Sequence, residues 1–162
     1  MNRDNAVKCL FILLLALTIP FSTAVADNHI KLSSGQTVYV SVYSNVFSGP
    51  KALPYNLASM LSIRNTDMYN TIKVTSADYY DNDGRLLKKY LDKPLILPPL
   101  QSRYIYMNEQ EDAGGFGANF IVRWESAKDV NVPIIESIMI GVKSGQGISF
   151  ACQGQVITEQ TK

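Results

Sequence analysis

Apolar and polar residues alternate with a period of two along most of this chain, as in antiparallel β-strands that bury one face. In Thr37–Ser44 (TVYVSVYS), three valines share one face. The same alternation predicts further strands over 57–65, 72–80, 86–91, 103–107, 118–125, 134–142 and 147–157. No window has the apolar spacing of a helix, so the pattern predicts about eight short strands.

Residues that disfavour strands separate these segments. Gly49, Pro50 and Pro54 predict a loop over 45–56, and Asp81-Asn82-Asp83-Gly84 suits a tight hairpin turn. This arrangement predicts an all-β fold, an antiparallel β-sandwich that is immunoglobulin-like. A barrel is the alternative, because strand spacing does not separate the two architectures.

The N-terminal region has the three parts of a secretory signal peptide. Arg3 and Lys8 form a basic start, Cys9–Phe21 is an apolar run, and Ser22–Ala26 is rich in small residues that suit cleavage. The thirteen residues of the apolar run are too few to span a bilayer as a helix. We therefore expect an exported protein, periplasmic or extracellular, with no stable membrane anchor after cleavage. The predicted parts are a signal peptide over 1–26, a flexible tail over 27–34, a β-sandwich domain over 35–157 and a C-terminal tail over 158–162.

The charge and length of the chain mainly exclude classes of partner and cofactor. The predicted leader holds two of the fifteen basic residues and one of the fourteen acidic residues, so the remaining chain is formally neutral. A neutral domain without a run of like charges does not attract nucleic acid or anionic lipid, and neither is expected as a partner. A domain of this length can bury a core without metal or disulfides, and no cofactor is expected.

Several stretches, taken in order, resemble a known family. SGQTVYVSVYS, LSIRNTD, YYDNDGRLL, GANFIVRWE and MIG…GISF are similar to a family of exported bacterial proteins classed as a domain of unknown function, over about 35–157. That family has no established activity, so the resemblance implies a fold and no catalytic residues. LSIRNTD…IKVTSADYYDNDGRLL is also similar to the sandwich domains of desiccation- and stress-associated proteins, which supports the fold alone.

The sequence contains no motif that combines the residues of a catalytic site. His29, the single histidine, lies in the predicted tail, where nothing would hold it as a general base. Ser149 and Cys152 are expected to be strand residues rather than nucleophiles. Carboxylate pairs such as Glu125 and Glu136 have no separation that the sequence fixes. We therefore expect a protein that is not an enzyme.

Three further groups have a structural and a functional interpretation. Asp78, Asp81 and Asp83 precede Gly84, but tyrosines stand at both ends of the EF-hand spacing, so a turn is expected and weak Ca²⁺ binding is the alternative. Cys152 is the one cysteine beyond the leader; a buried residue is expected, with an intermolecular disulfide or reactive thiol as the alternative. The third group is a predicted network of paired charges or a polar binding patch, formed by Arg64, Arg123 and Glu136.

Two regions are candidates for binding. Gly114, Gly115 and Gly117 precede a strand rather than a helix, so they predict a mobile connection and not a phosphate loop. Such a loop would present Phe116 at its tip to a partner such as an envelope protein. The alternative is a module for a glycan or another small ligand, with an aromatic sheet face formed by Tyr39, Tyr43 and Trp124.

Overall fold

The computed structural model describes residues 31–143 and 145–159, and these form strands, turns and loops. The predicted signal peptide and His29 lie outside the described residues. Within the described ranges, no helix is long and apolar enough to cross a membrane.

Twelve strands follow one another along this part of the chain. They are β1 (Leu32–Ser41), β2 (Asn45–Ser48), β3 (Leu53–Asn56), β4 (Ala58–Arg64), β5 (Ile72–Tyr80), β6 (Leu86–Lys89), β7 (Leu95–Leu97), β8 (Ser102–Met107), β9 (Asn119–Asn131), β10 (Ile134–Lys143), β11 (Gln146–Gln153) and β12 (Gln155–Glu159).

The strands form two main antiparallel sheets and one hairpin. The six-stranded sheet has the order β12-β1-β9-β5-β6, with β7 also paired to β5. The four-stranded sheet has the order β11-β10-β4-β8, and β2 pairs with β3. The prediction of an all-β antiparallel sandwich is confirmed, and its immunoglobulin-like subtype stays a prediction.

The hydrophobic core lies between the two main sheets. The six-stranded sheet contributes Val38, Val40 and Trp124, and the four-stranded sheet contributes Leu61 and Ile63. The alternation in β1 and β4 correctly indicated which of these side chains are buried, because successive strand residues point to opposite faces.

A β-bulge changes the alternation within β5. The pairing of β5 with β9 shifts register between Val74 and Ser76. Val74 and Ala77 both face the core, although residues three positions apart point to opposite faces of a regular strand. One extra residue at the bulge keeps both ends of this strand in contact with the core.

The chain ends of the sandwich extend beyond the predicted domain. The predicted tail over 27–34 is too long, because Leu32 and Ser33 pair with β9. The predicted tail over 158–162 is also too long, because β12 continues to Glu159. The carboxylate of Glu159 accepts hydrogen bonds from Ser33 Oγ at 2.9 Å and Gln36 Nε2 at 2.8 Å. Polar side chains hold these ends together, so the hydrophobic pattern does not reveal them.

Two other segments also differ from expectation. The predicted loop over 45–56 contains the β2–β3 hairpin. The single strand predicted over 147–157 is two strands in different sheets, divided at Gly154, whose N–H donates to Ile135 O at 2.8 Å. A Cβ at Gly154 would lie 2.6 Å from Val38 Cγ1, so only glycine fits between the two sheets here.

Candidate functional site

The glycine-rich loop is packed against the body of the sandwich, and the expectation of a mobile connection is wrong. Gly114 O accepts a hydrogen bond from Asn82 N at 3.2 Å, and Gly115 O accepts one from Ser44 N at 3.1 Å. These two bonds tie the loop to the β5–β6 turn on one side and to the chain after β1 on the other.

Close packing explains why this loop needs glycines. A Cβ on Gly114 would overlap Tyr79 Oη, and a Cβ on Gly117 would lie 2.8 Å from the Cβ of Asn82. Gly115 has a φ of +74°, which L-residues with side chains rarely adopt. The glycines therefore allow a tight approach of backbone to side chains, and they hold Phe116 in a defined position.

Phe116 lies at the surface within an aromatic cluster. Its side chain is 52% exposed, and Phe47 on β2 is 60% exposed. The Phe116 ring meets Tyr43 edge-on at a centroid distance of 5.0 Å and lies 6.3 Å from Phe47. Tyr43 contacts Phe150 in turn, at 5.6 Å. We call these four residues, Tyr43, Phe47, Phe116 and Phe150, the aromatic patch.

A second, smaller core supports the aromatic patch from below. Tyr55, Leu57 and Met139 form its buried centre, and Tyr43 and Phe150 pack against it. Cys152 belongs to the same cluster; it is only half-buried, and it is a free cysteine. Tyr43 packs on this core and contacts the Phe116 ring, and it thereby connects the exposed rings to the second core.

The predicted ligand face of Tyr39, Tyr43 and Trp124 does not form, and that prediction is wrong. Trp124 is fully buried in the main core, and Tyr43 belongs to the aromatic patch. Tyr39 is half-buried in the middle of β1, opposite Ile121 on β9. The physical reason is the direction of the side chain. Trp124 lies on the inward face of β9 with Val122 and Phe120, so its ring fills the core.

One feature of Trp124 is unusual for a buried side chain. Its Nε1–H has no hydrogen-bond partner among the described residues. Most buried donors are satisfied, so the unpaired N–H offsets part of the stability that the buried ring contributes.

A pair of tyrosines beside the loop was not found by sequence reasoning. Tyr79 Oη and Ser44 Oγ lie 2.8 Å apart, and Tyr90 Oη donates to Glu111 Oε2 at 3.2 Å. Burial raises the pKa of Tyr79, and burial together with the Glu111 carboxylate raises the pKa of Tyr90. Nothing in the spacing of these residues shows that the β5–β6 hairpin brings the two rings together.

The aspartates around Gly84 form a turn, as the sequence predicts. The Asp81 carboxylate accepts hydrogen bonds from Asp83 N, Arg85 N and Arg85 Nε, each at 2.9 Å. Gly84 has a φ of +76°, and these bonds lower the pKa of Asp81, with the backbone N–H of Arg85 as the largest cause. Across residues 31–143 and 145–159, no three His, Cys, Asp or Glu side chains come together as metal ligands.

The three charges predicted to form one network separate onto the two sheets. Arg64 and Glu136 form an ion pair at 3.4 Å on the four-stranded sheet. Arg123 pairs with Asp78 at 3.0 Å on the six-stranded sheet. All three side chains are at least partly exposed, so these pairs contribute little to stability.

The outer face of the four-stranded sheet is largely apolar. Tyr106, Met60, Ile138 and Ala151 are neighbours across four successive strands. Tyr104 and Tyr106 are 70% and 55% exposed on this face. This face also holds the Arg64–Glu136 ion pair, whereas the outer face of the six-stranded sheet holds both Lys73–Glu125, at 2.8 Å, and Arg123–Asp78. The outer face of the four-stranded sheet is thus the more apolar of the two.

These features define an all-β sandwich protein whose surface has an aromatic patch and one apolar sheet face. The chain belongs to the family described as "Protein of unknown function (DUF3124)", whose model matches residues 35–157. The expectation of an uncharacterised family is thereby confirmed. No curated protein matches the chain.

One solved structure, titled "Crystal Structure of Thermotoga maritima 1070", is similar at 11% sequence identity and a TM-score of 0.47. The match covers 77% of this chain and 97% of that one.

Proposed function

We propose that this protein is an exported, non-enzymatic binding protein of the bacterial envelope, and that it contacts a protein partner through the aromatic patch. Export rests on the leader-like residues 1–26, with their basic start, apolar run and small residues. The absence of a catalytic motif in the sequence supports a role in binding rather than catalysis.

The observation that carries the proposal is the pair of exposed rings, Phe47 and Phe116. Their side chains are more than half exposed although their centroids are only 6.3 Å apart. Aromatic side chains dominate binding energy at protein interfaces, since they bury a large area and lose little conformational entropy. The glycine-rich loop and Tyr43 already hold the Phe116 ring, so a partner would not have to order it.

The test is a crosslinked affinity purification of the tagged protein from its own cell envelope, read by mass spectrometry. We expect one or two stoichiometric protein partners. Phe116→Ala and Phe47→Ala should each weaken recovery on the order of tenfold or more, as truncation of a central aromatic contact does. Ile96→Ala on β7 is the matched control, because Ile96 is also 52% exposed. Recovery unchanged by both patch variants, in folded protein, would show that the patch does not bind the partner.

A second candidate function is recognition of a glycan on the apolar outer face. A shallow depression of about 370 Å³ lies beside Tyr104 and is also lined by Ser62 and Arg64. Exposed tyrosine rings beside polar groups suit the stacking and hydrogen bonding of sugars. Glycan-array binding that Tyr104→Ala abolishes and Phe116→Ala leaves intact would support this function over the first.

A further inference from the structure

Strand β11 is an open edge of the four-stranded sheet. It pairs with β10, and no other described strand pairs with it. Its inward residues Ile148, Phe150 and Cys152 are only half-buried, whereas the inward residues of β10 are almost fully buried. The difference arises because no described strand covers the edge of β11 that faces away from β10.

The sequence of this edge lacks the usual protection against strand pairing. Natural edge strands are shielded by charged residues, proline, bulges or short length. β11 has eight residues, QGISFACQ, with neither charge nor proline, and its pairing with β10 has no register shift. Its free N–H and C=O groups therefore offer a regular edge to another strand.

The other described edge strands are each protected or short. Charged residues lie in β8 (Arg103), in β6 (Lys88 and Lys89) and in β12 (Glu159). β7 has three residues, and β2 and β3 have four each, with Pro54 in β3. β11 alone among the described edge strands is both long and uncharged.

We propose that β11 pairs antiparallel with β11 of a second copy of this chain, so that the two four-stranded sheets become one continuous sheet. A two-fold axis pairs residues near the middle of the segment with their own copies, so a charge there meets a like charge. β11 is free of this repulsion, whereas β6, with Lys88 beside its midpoint, is not. The outer-face residue Ala151 adjoins Ile138, so the pairing would also join the apolar outer faces of both copies.

The lack of charge in β11 favours a second copy over an unrelated extended peptide. An edge that recruits a foreign strand gains selectivity from charges that complement the partner. An uncharged edge has no such selectivity, but it can pair with an identical edge without charge repulsion. The proposed interface adjoins the aromatic patch at Phe150, which lies on β11, but the two exposed rings that carry the proposed partner site, Phe47 and Phe116, lie outside this strand.

The test measures self-association of the C-terminally tagged protein, purified from its own cells, by sedimentation at about 1 to 100 µM. We expect a reversible dimer. Ser149→Lys puts a charge on the exposed side of β11 in both copies and should raise the dissociation constant on the order of tenfold. Ser102→Lys is the matched control, because it puts the same charge on the opposite edge strand, β8. Circular dichroism checks that both variants fold.

Hydrogen exchange of the unmodified protein gives a second measurement that needs no variant. Amides of 146–153 should gain protection as the concentration rises, while those of 102–107 should not. A protein that stays monomeric at about 100 µM overturns the proposal. So does a dimer that Ser102→Lys weakens as much as Ser149→Lys, or one without added protection in β11. A peptide or other protein bound along β11 in place of a second copy also overturns it.

Discussion

Gly114→Ala tests whether the glycine-rich loop is packed, as the structure has it, or mobile. The substitution adds one methyl group at a position whose φ is not positive, so the backbone itself tolerates alanine. The new Cβ would overlap Tyr79 Oη and would lie 2.7 Å from the Cβ of Ala118. Tyr79 cannot easily move aside, because its hydroxyl bonds Ser44 and its ring packs against Phe120 at 5.1 Å.

The magnitude follows from two opposing terms. Forcing an extra carbon into a packed site costs about 1–3 kcal/mol. Replacing glycine by alanine also restricts the unfolded chain, which stabilises by about 0.4–1 kcal/mol. The net expectation is a destabilisation of about 1–2 kcal/mol, which lowers the melting temperature by roughly 4–8 °C for a domain of this size.

Urea unfolding measures this change as a lower midpoint with an unchanged slope. Gly147→Ala is the control, because its Cβ would meet nothing closer than Gly141 O at 3.9 Å. We expect that control to shift stability by less than about 0.5 kcal/mol. Tyr79→Phe removes the overlapping oxygen, so the double variant should recover about 1 kcal/mol relative to additivity. If Gly114→Ala is as neutral as Gly147→Ala and shows no coupling to Tyr79→Phe, the loop is not packed as described.

Three further predictions concern residues that hold the fold. Hydrogen bonds from the N–H groups of Tyr69 and Asn131 are the main causes that lower the pKa of Asp67 from 3.8 to about 2. The stability that Asp67 contributes is therefore fully present above about pH 4 and is lost as the pH falls through about 2. Asp67→Asn should flatten the dependence of the unfolding free energy on pH over that window; an unchanged slope would contradict this role. Gly154→Ala should destabilise by about 2–3 kcal/mol, because its Cβ would also lie 2.7 Å from Ile135 O, a backbone atom that cannot rotate away; chemical unfolding measures this, and a neutral result would refute the tight crossing. Trp124→Ala should cost about 3–5 kcal/mol of stability, as removal of a buried Trp does. Trp124→Phe should cost at least about 2 kcal/mol less, because it removes the unpaired Nε1–H and keeps most of the ring. Equal melting temperatures for the two variants would contradict this.

The strands and their buried faces could be predicted because burial imposes a period of two on each strand separately. Val38, Val40 and Val42 all proved buried, as did Leu57, Leu61 and Ile63. The Asp81–Gly84 turn could also be predicted, because its residue types match the backbone angles that a tight turn needs. Both are local properties, so neighbouring residues in the sequence are enough to show them.

The sites could not be predicted in the same way, because they depend on which strands become neighbours. Alternation indicates that Tyr39 and Tyr43 share a face, but the chain leaves the sheet after Ser41, and Tyr43 enters the second core. The aromatic patch joins Phe47 and Phe116, which are far apart in the sequence. The glycines at 114–117 suggested mobility because sequence does not show that Tyr79 and Asn82 pack against them.

Sequence patterns were enough to predict an all-β antiparallel chain, the inward residues of its longer strands, the β5–β6 turn and the likeness to an uncharacterised family. The folded molecule shows in addition how β11 and β12 divide between two sheets at Gly154, which outer face is the more apolar, and which edge is left open. Alternation records whether a residue is buried, whereas sheet order, edges and surface patches depend on contacts between segments distant in the chain.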